Sequence, residues 1–270
     1  MADTSGKIVA GCNLDEPLMP ASIIKVATVL AAMRVLGPDY RFTTEFYRDH
    51  EGNLYIKGYG DPSLVSEELA LIAERLHAGG LRQVPAVYVD DTAFALEGPA
   101  PGQTRTDNPY DAPVAALAVN FNTVAVFKDK RGNIVSGEAQ TPTIPLMHEL
   151  AAKRAPGKMR LNICLDGAEP TGRSARHGAE LFRAFLQAKG IDVGRAGGKK
   201  ALPKDAELVL RHNSSMRLTE ISEGLMRSSS NFTANLIFLA AGAKRYGWPA
   251  TWAKARRVLE EEMAARNTRK

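Results

Sequence analysis

The chain has 270 residues, enough for one or two domains with a buried core, and its 44% hydrophobic and 24% charged residues are ordinary for a globular protein. No run of eighteen apolar residues predicts a transmembrane segment. The net charge of +5 is carried by residues 244–270. There it favours a solvated helix face over a site that binds an anionic surface such as wall polymer or lipid headgroups. Aromatic residues do not alternate with these basic residues, so the sequence does not indicate nucleic-acid binding.

The first half of the chain predicts one apolar helix followed by an α+β block. Residues 7–12 have the pattern of a short strand, and a turn-rich approach leads to a helix at residues 22–36 that is apolar on nearly all sides, which predicts burial. A helix at 67–77 and a Pro- and Gly-rich surface loop at 97–110 follow. Alternating or apolar runs predict strands at 41–47, 53–57, 86–90, 118–128 and 160–165. In the fourth of these, the inward positions are Val119, Phe121, Val124 and Val126.

In the second half of the chain, the apolar residues again have mostly helical spacing. Apolar spacing predicts helices at 179–189, 216–226, 231–243 and 250–266, and a strand at 207–211. The glycine-rich stretch 194–198 is interpreted as a flexible connection. We therefore expect residues 1–40 and 176–270 to form one domain, interrupted by an inserted α+β domain at residues 41–175.

Ser22 and Lys25 lie at the start of the apolar helix. Because they are three residues apart, their side chains share one face, one turn apart. Burial and the positive end of the helix both disfavour a charged lysine, so we expect a neutral amine that can take the proton of the Ser22 hydroxyl and make a nucleophile. Ser-x-x-Lys is common, however, and a lysine near a helix end usually extends to water, so the rest of the chain must support this reading.

The cysteines and histidines give no sign of a metal or cofactor. Cys12 and Cys164 either pair across the two domains or are buried free thiols, and their apolar neighbours favour free thiols. The five histidines show no metal-ligand spacing with cysteine or with each other. No glycine-rich loop follows a strand with phosphate-binding spacing. We expect no metal and no cofactor.

Four stretches carry a family resemblance in the family's own order: PASIIKV at 20–26, LGPDYRFTT at 36–44, GYGDPSL at 58–64 and SSN at 229–231. Together they resemble penicillin-binding proteins of the D-alanyl-D-alanine carboxypeptidase/endopeptidase type, the low-molecular-mass class with a large inserted domain, over about residues 8 to 255. The resemblance implies an α+β fold in which a penicillin-recognising serine transpeptidase/β-lactamase-like domain, with its helical part retained, is interrupted by the inserted domain.

The resemblance also implies roles for four residues. Ser22 attacks the penultimate D-alanine carbonyl, and Lys25 is the general base. Ser229 relays a proton to the leaving amine, and Asn231 orients Lys25 and the substrate amide. Ser230 stands where the family usually has Asp. Asp61 and Ser63, in the third stretch, are interpreted as turn residues.

One family motif is missing. No Lys-Thr-Gly or Lys-Ser-Gly follows Asn231, and residues 1–6 have no apolar secretion signal, so the chain resembles a member truncated at both ends. We expect a periplasmic peptidase that acts on peptidoglycan stem peptides, reacts with β-lactams and is impaired in turnover. The alternatives are a catalytically inactive remnant that binds wall peptide or a partner, and an esterase or β-lactamase that uses the same Ser/Lys pair.

Overall fold

The computed structural model describes residues 1–13, 16–104, 106 and 108–267. These residues form seven α-helices and eight β-strands, which confirms the predicted α+β class. The helices are α1 (Ile24–Leu36), α2 (Ser66–Ala78), α3 (Pro145–Ala151), α4 (Pro170–Ala188), α5 (Leu218–Ser228), α6 (Asn231–Tyr246) and α7 (Trp252–Asn267). The strands are β1 (Thr43–Arg48), β2 (Leu54–Gly58), β3 (Gln83–Asp90), β4 (Thr123–Lys128), β5 (Ile134–Ser136), β6 (Gly157–Asn162), β7 (Asp192–Lys199) and β8 (Glu207–Asn213).

A five-stranded mixed sheet organises the larger part of the chain. Its order is β7-β3-β2-β1-β8, with β2, β3 and β7 parallel and β1 antiparallel to both of its neighbours. An antiparallel sheet, β5-β4-β6, lies in the same hydrophobic core, together with α2, α3 and α4. Phe46, Ile56, Val126 and Phe182 are fully buried members of that core. Strands that alternate inward and outward residues therefore share one apolar interior with amphipathic helices.

A second core is helical and holds α1 in place. Ala32 of α1 packs with Leu218 of α5, Ile237 of α6 and Val258 of α7. The α6 and α7 backbones approach so closely that a Cβ on Gly242 would lie 2.7 Å from the Ala255 nitrogen. This core fixes the start of α1 beside the junction of α5 and α6.

The sequence prediction was wrong about two segments. Residues 7–12 are not a strand, because the Asp3 carboxylate accepts hydrogen bonds from Ser5 and Lys7 and folds the chain into a tight turn with a single bridge between Ala2 and Ile8. Residues 194–198 are not a flexible connection but part of β7. Its glycines allow close approach to β3, since a Cβ on Gly197 would collide with the Tyr88 ring. Strand β5 and helix α3 were not predicted.

Three predictions about which side chains are buried also differ from the structure. Phe121 is exposed rather than inward, because Asn120, Phe121 and Asn122 all have positive φ and break the alternation before β4 begins. Cys12 is exposed, and both it and the partly buried Cys164 are free thiols, as the sequence favoured. Burial raises the pKa of the Cys164 thiol to about 11. Helix α1 is not buried on all sides, since Ile23 before it and Val26 within it are exposed.

The predicted domain division at residue 175 falls inside α4. Strands β7 and β8, beyond that residue, complete the sheet that β1, β2 and β3 begin. The sheet therefore extends to residue 213, while the division into two domains stays a prediction. In the described part of the chain, no helix combines the length and apolarity that a membrane span requires.

Candidate active site

The start of α1 brings Ser22 and Lys25 together. A 3-10 turn at Ala21–Ile23 precedes α1, so the predicted helix at 22–36 begins with a tighter turn that leaves Ser22 exposed. Lys25, on the first turn of α1, is only 5% exposed. Its Nζ lies 3.0 Å from the Ser22 Oγ, a hydrogen-bond distance. The three-residue spacing therefore has the geometric consequence that the sequence predicts.

Ser229 reaches the same lysine from the junction of α5 and α6. Ser229 ends α5 in the left-handed conformation, with φ of 55°, and Ser230 caps α6 through an Oγ that accepts a hydrogen bond from the Thr233 N–H. The Lys25 Nζ donates to the Ser229 carbonyl oxygen at 2.6 Å and lies 3.0 Å from the Ser229 Oγ. Aspartate is also a favoured N-cap, so the serine at position 230 satisfies the local requirement in the same way.

The surroundings of Lys25 are neutral. Its hydrogen-bond partners are two serine hydroxyls, one tyrosine hydroxyl and one carbonyl, and in the described ranges no carboxylate forms an ion pair with it. Because the Lys25 Nζ is within reach of the hydroxyls of both Ser22 and Ser229, a proton can pass between either hydroxyl and the amine in one step. These distances are the ones that a nucleophile, a base and a proton relay would require.

Tyr110 is a site residue that the sequence analysis missed. Its hydroxyl donates to the Ser229 carbonyl oxygen at 3.1 Å and lies 3.5 Å from the Lys25 Nζ. It sits on a 3-10 turn, Pro109–Asp111, that the Asn108 side chain caps. No local pattern separates this tyrosine from the rest of the Pro- and Gly-rich loop, so only the fold could identify it.

The Asp111 carboxylate organises the loop that carries Tyr110. It accepts hydrogen bonds from the Thr104 N–H and from the hydroxyls of Thr104 and Thr106. Burial acts to raise the pKa of Asp111, but these hydrogen bonds outweigh it and hold the pKa below its usual value. The ionised carboxylate is therefore the anchor of the loop beside the site.

Asn231 opens α6 beside Ser229, but its amide is engaged by the loop. Its Nδ2 donates to the Gly102 carbonyl at 2.9 Å, and one turn later the Asn235 Nδ2 donates to the Pro101 carbonyl at 3.0 Å. No hydrogen bond joins Asn231 to Lys25 among the described residues. The structure thus brings Asn231 to the site and ties its side chain to the loop.

The predicted turn residues of the GYGDPSL stretch lie outside this constellation. The Asp61 carboxylate accepts from the N–H and hydroxyl of Ser63, as a turn does, and the Ser63 hydroxyl bonds to the Ser214 hydroxyl at 2.7 Å. Burial raises the pKa of Asp61. Over the described ranges, no group of three or more His, Cys, Asp or Glu side chains is arranged to hold a metal ion.

Known proteins share both the sequence and the fold. The D-alanyl-D-alanine carboxypeptidase of Actinomadura sp. (strain R39) is 28% identical over 301 residues, which are 92% of this chain and 54% of the relative. This chain therefore spans about half the length of that protein. The crystal structure of penicillin binding protein 4 (dacB) from Haemophilus influenzae matches with a TM-score of 0.75 at 20% identity, over 97% of this chain and 65% of that one. The structure of the same protein complexed with a β-lactam matches with a TM-score of 0.68 at 20% identity, over 97% of this chain and 64% of that one.

These likenesses confirm the penicillin-recognising fold that the motifs predict. A family model agrees with them and covers far more than half of the chain, at residues 2–155 and 170–268. The chain belongs to the D-Ala-D-Ala carboxypeptidase 3 (S13) family.

Proposed function

We propose that this chain is a serine-type D-Ala-D-Ala carboxypeptidase/endopeptidase. It acts on peptidoglycan peptides through an acyl-enzyme on Ser22. The observation that carries the proposal is the position of the Lys25 Nζ, 3.0 Å from the hydroxyls of both Ser22 and Ser229. A buried amine between two hydroxyls supplies a base for one and a proton path to the other. Family membership supports the same chemistry.

In the proposed acylation, the Ser22 Oγ attacks the carbonyl carbon of the penultimate D-alanine while its proton passes to Lys25. The tetrahedral intermediate collapses as the C–N bond breaks, and the proton reaches the leaving amine through the Ser229 hydroxyl. Water then attacks the carbonyl carbon of the Ser22 ester while Lys25 takes a proton from that water. The bond between this carbon and the Ser22 Oγ breaks, the Oγ takes the proton from Lys25, and the shortened peptide leaves. Each proton removed from an attacking group is returned to a leaving group, so the cycle balances.

Two further side chains support the reacting groups in this proposal. Tyr110 and Lys25 both donate to the Ser229 carbonyl oxygen, which restrains the residue that carries the relay hydroxyl. Asn231 orients the substrate amide once its own amide has left the Gly102 carbonyl. The Ser22 N–H, at the positive start of the helix, supplies one donor to the oxyanion.

Turnover by these 270 residues is proposed to be weak. In the family resemblance, the second oxyanion donor and the substrate-carboxylate contact come from the Lys-Thr-Gly strand, and neither Lys-Thr-Gly nor Lys-Ser-Gly occurs in this sequence. Loss of one oxyanion donor costs about a hundredfold or more in turnover. We therefore expect acylation by a strained β-lactam to be detectable even where hydrolysis of the peptide is not.

The relatives support the proposed reagents, and the family resemblance supports the proposed location. The Haemophilus influenzae relative has been solved in complex with a β-lactam, which supports covalent modification of Ser22 by penicillins. Peptidoglycan stem peptides are the proposed substrate, and the periplasm is the proposed location.

A second candidate is a remnant that binds wall peptide without turnover. The hydrogen bond between Asn231 and Gly102 favours it, since the amide that would orient a substrate is occupied. The missing Lys-Thr-Gly motif favours it as well.

A fluorescent penicillin separates these candidates. Intact mass spectrometry of the folded 270-residue chain is expected to show one adduct of penicillin mass, which Ser22→Ala abolishes without lowering the melting temperature. D-alanine release from a peptide ending in D-Ala-D-Ala is expected at least a hundredfold below that of the Actinomadura relative, measured in parallel. Absence of an adduct on the folded chain supports the remnant, equal peptide rates contradict the impairment, and rapid release of hydrolysed penicillin indicates a β-lactamase.

A further inference from the structure

The outer face of the five-stranded sheet carries a buried carboxylate that three side chains hold in place. Because strand residues alternate, Glu45 and Tyr47 lie on the face opposite Phe46, which belongs to the apolar core. Glu45 is only 6% exposed, and its Oε2 accepts hydrogen bonds from the hydroxyls of Tyr47 at 2.7 Å and Tyr59 at 2.8 Å. Its Oε1 accepts from the Arg211 Nε at 2.9 Å and lies 2.8 Å from the Arg211 Nη2. Burial acts to raise the pKa of Glu45, but these bonds outweigh it, so the carboxylate is ionised.

The three partners of Glu45 keep hydrogen-bonding capacity at an accessible surface. A tyrosine hydroxyl that donates its single proton to a carboxylate still has lone pairs that accept hydrogen bonds. Burial and the bond to Glu45 raise the pKa of Tyr47 to about 12 and also raise the pKa of Tyr59, so both hydroxyls stay protonated. Both tyrosines are partly exposed, and the Arg211 side chain is 60% exposed. A ligand at this face therefore meets two fixed acceptors and a guanidinium donor.

An exposed indole lies against one of these tyrosines. Trp248, just beyond the end of α6, is 43% exposed. Its ring centroid lies 4.9 Å from that of Tyr59 and 6.5 Å from that of Phe94, to which it is nearly parallel. A backbone hydrogen bond of 2.9 Å from the Ala95 N–H to the Ala250 carbonyl ties the two segments together. The indole is thus positioned by two aromatic rings while much of its surface stays open.

The outer face has no excess of either charge beside the indole. Paired strands place four charged side chains in one row across β8, β1, β2 and β3: Arg211, Glu45, Lys57 and Asp90. Cations and carboxylates alternate along this row, so its formal charges cancel. An ion attracted to one of these groups is repelled by the next, and charge alone selects no ligand here.

A neutral sugar combines the properties that this surface selects. A pyranose ring has C–H faces that pack on indole and phenol rings, and its rim carries hydroxyls that both donate and accept hydrogen bonds. Sites for small molecules likewise combine aromatic side chains with a few fixed polar groups. An apolar partner would leave the tyrosine acceptors and the Arg211 guanidinium without hydrogen bonds, and a cation would meet that guanidinium.

We call Tyr47, Tyr59, Arg211 and Trp248 the Trp248 patch. We infer that the Trp248 patch binds a neutral oligosaccharide, with one sugar ring packed on the indole and its hydroxyls bonded to Tyr59 and Arg211. The ligand is an N-acetylated hexosamine strand such as peptidoglycan contains, an identity that rests on the proposed function. Trp248 and Ser229 lie beyond opposite ends of α6, whose 16 residues span roughly 24 Å. Sugar binding is therefore separate from the proposed nucleophile and requires no catalysis.

Fluorine NMR of the full chain tests the inference directly. The sequence has two tryptophans, so a 5-fluorotryptophan label gives two signals, which Trp248→Phe assigns. The probe is tetra-N-acetylchitotetraose. Its addition is expected to move the Trp248 signal in a saturable manner, whereas the signal of Trp252, which packs against a buried cluster, stays in place. No movement of the Trp248 signal, or equal movement of both signals, would overturn the inference.

Calorimetric titration of variants with the same tetramer tests the individual groups. Tyr59→Phe keeps the ring and loses the hydroxyl, so the affinity is expected to fall about 3- to 10-fold, as for the loss of one hydrogen bond. Trp248→Ala is expected to lower it at least tenfold. Tyr110→Phe is the matched control, because it loses a hydroxyl at the other end of α6 and should bind the sugar unchanged. Equal affinities for Tyr59→Phe and Tyr110→Phe would remove the Tyr59 hydroxyl from the site and contradict the inference.

Two further titrations separate the inference from its alternatives. The tetramer of glucosamine has the same rings but cationic amines, and it is expected to bind at least threefold more weakly than the acetylated tetramer. Equal or tighter binding would show a cation site and overturn the inference. Ser22→Ala should leave sugar binding unchanged while it abolishes the penicillin adduct. Sugar binding by a chain that forms no adduct would support the inference although the proposed function fails, and an adduct without sugar binding would do the reverse.

Discussion

Lys25 and Ser229 are 204 residues apart in the chain, yet the Lys25 Nζ donates a 2.6 Å hydrogen bond to the Ser229 carbonyl oxygen. The same nitrogen lies 3.0 Å from the Ser229 hydroxyl. The two contacts have different consequences, because a backbone carbonyl survives any substitution at position 229 whereas the hydroxyl does not. The structural link between α1 and the α5–α6 junction can therefore be separated from the proposed proton relay.

Ser229→Ala is expected to keep the fold and lose the relay. The hydrogen bond from Lys25 to the Ser229 carbonyl remains, so the melting temperature should change by no more than about 2 °C. The rate of penicillin acylation should fall about a hundredfold, as for loss of a general acid–base group. Stopped-flow labelling measures the rate. An unchanged acylation rate would remove Ser229 from the mechanism.

Tyr110→Phe is expected to slow acylation by about 3- to 10-fold. The variant loses one hydrogen bond to the Ser229 carbonyl, and such a bond contributes about 0.5–1.5 kcal/mol. Tyr246→Phe is the matched control, because its hydroxyl bonds to Glu261 on α7, away from the site. Equal acylation rates for the two variants would show that Tyr110 has no positioning role.

Gly102→Ala is expected to disturb Asn231 more than backbone strain alone explains. Gly102 has φ of +75°, and an added Cβ would lie 2.8 Å from the Asn231 Nδ2. Gly98→Ala is a close control in the same loop, since Gly98 has φ of +74° and no atom within 4 Å of its Cβ position. Both variants bear the cost of positive φ, roughly 1 kcal/mol, but only Gly102→Ala should alter the acylation rate and the Asn231 amide NMR signal. Identical spectra and rates would show that the loop does not restrain Asn231.

His177→Leu is expected to make the protein more resistant to acid. His177 is fully buried, and neither ring nitrogen has a hydrogen-bond partner among the described residues. Burial lowers the pKa of His177 from its usual 6.5 to about 3. Between these two pH values the unfolded chain binds a proton that the native chain refuses, so native stability falls as the pH falls, by up to about 1.4 kcal/mol per pH unit.

Urea unfolding at several pH values measures this effect. Between pH 7.5 and 4.5, the stability of the unsubstituted chain should fall by about 2–3 kcal/mol more than that of His177→Leu. Carboxylates contribute equally to both proteins, so the difference isolates the histidine. Parallel pH curves for the two proteins would contradict a neutral buried imidazole.

Gly242→Ala is expected to destabilise the helical core by about 2–3 kcal/mol, because its Cβ would force α6 away from the Ala255 backbone. Gly224→Ala, on α5, meets no atom within 4 Å and should instead stabilise by up to about 1 kcal/mol, the helix propensity gain of alanine. Urea unfolding of both variants gives the two signs. If Gly242→Ala is also stabilising, the two helices do not pack as closely as the structure shows.

The sequence predicted that Ser22, Lys25 and Ser229 converge, because each residue lies in a family motif and these motifs follow one another in the order typical of the fold. It also located most helices, since their apolar spacing is regular over three or more turns. It failed where tertiary contacts decide the conformation. Strand β7 is rich in glycine because the neighbouring strand approaches closely, and composition alone cannot separate that cause from flexibility.

The parts of the site that come from loops could not be predicted. Tyr110 reaches Ser229 only because Asp111 and its threonine donors shape the loop, and those contacts span several residues without a periodic pattern. The engagement of the Asn231 amide by Gly102 is likewise a contact between segments 129 residues apart. Motifs specify which residues converge, whereas packing specifies what each side chain then contacts.

The pairing of α1 with α6 has a consequence for synthesis on the ribosome. Helix α1 packs on Ile237 of α6, which is translated some two hundred residues later. At about 5–20 residues per second, this delay lasts about 10–40 s, during which the nascent helix has an apolar side with nothing to pack against. We expect chaperones that recognise short apolar segments to hold the emerging chain at residues 22–36 until α6 has left the exit tunnel.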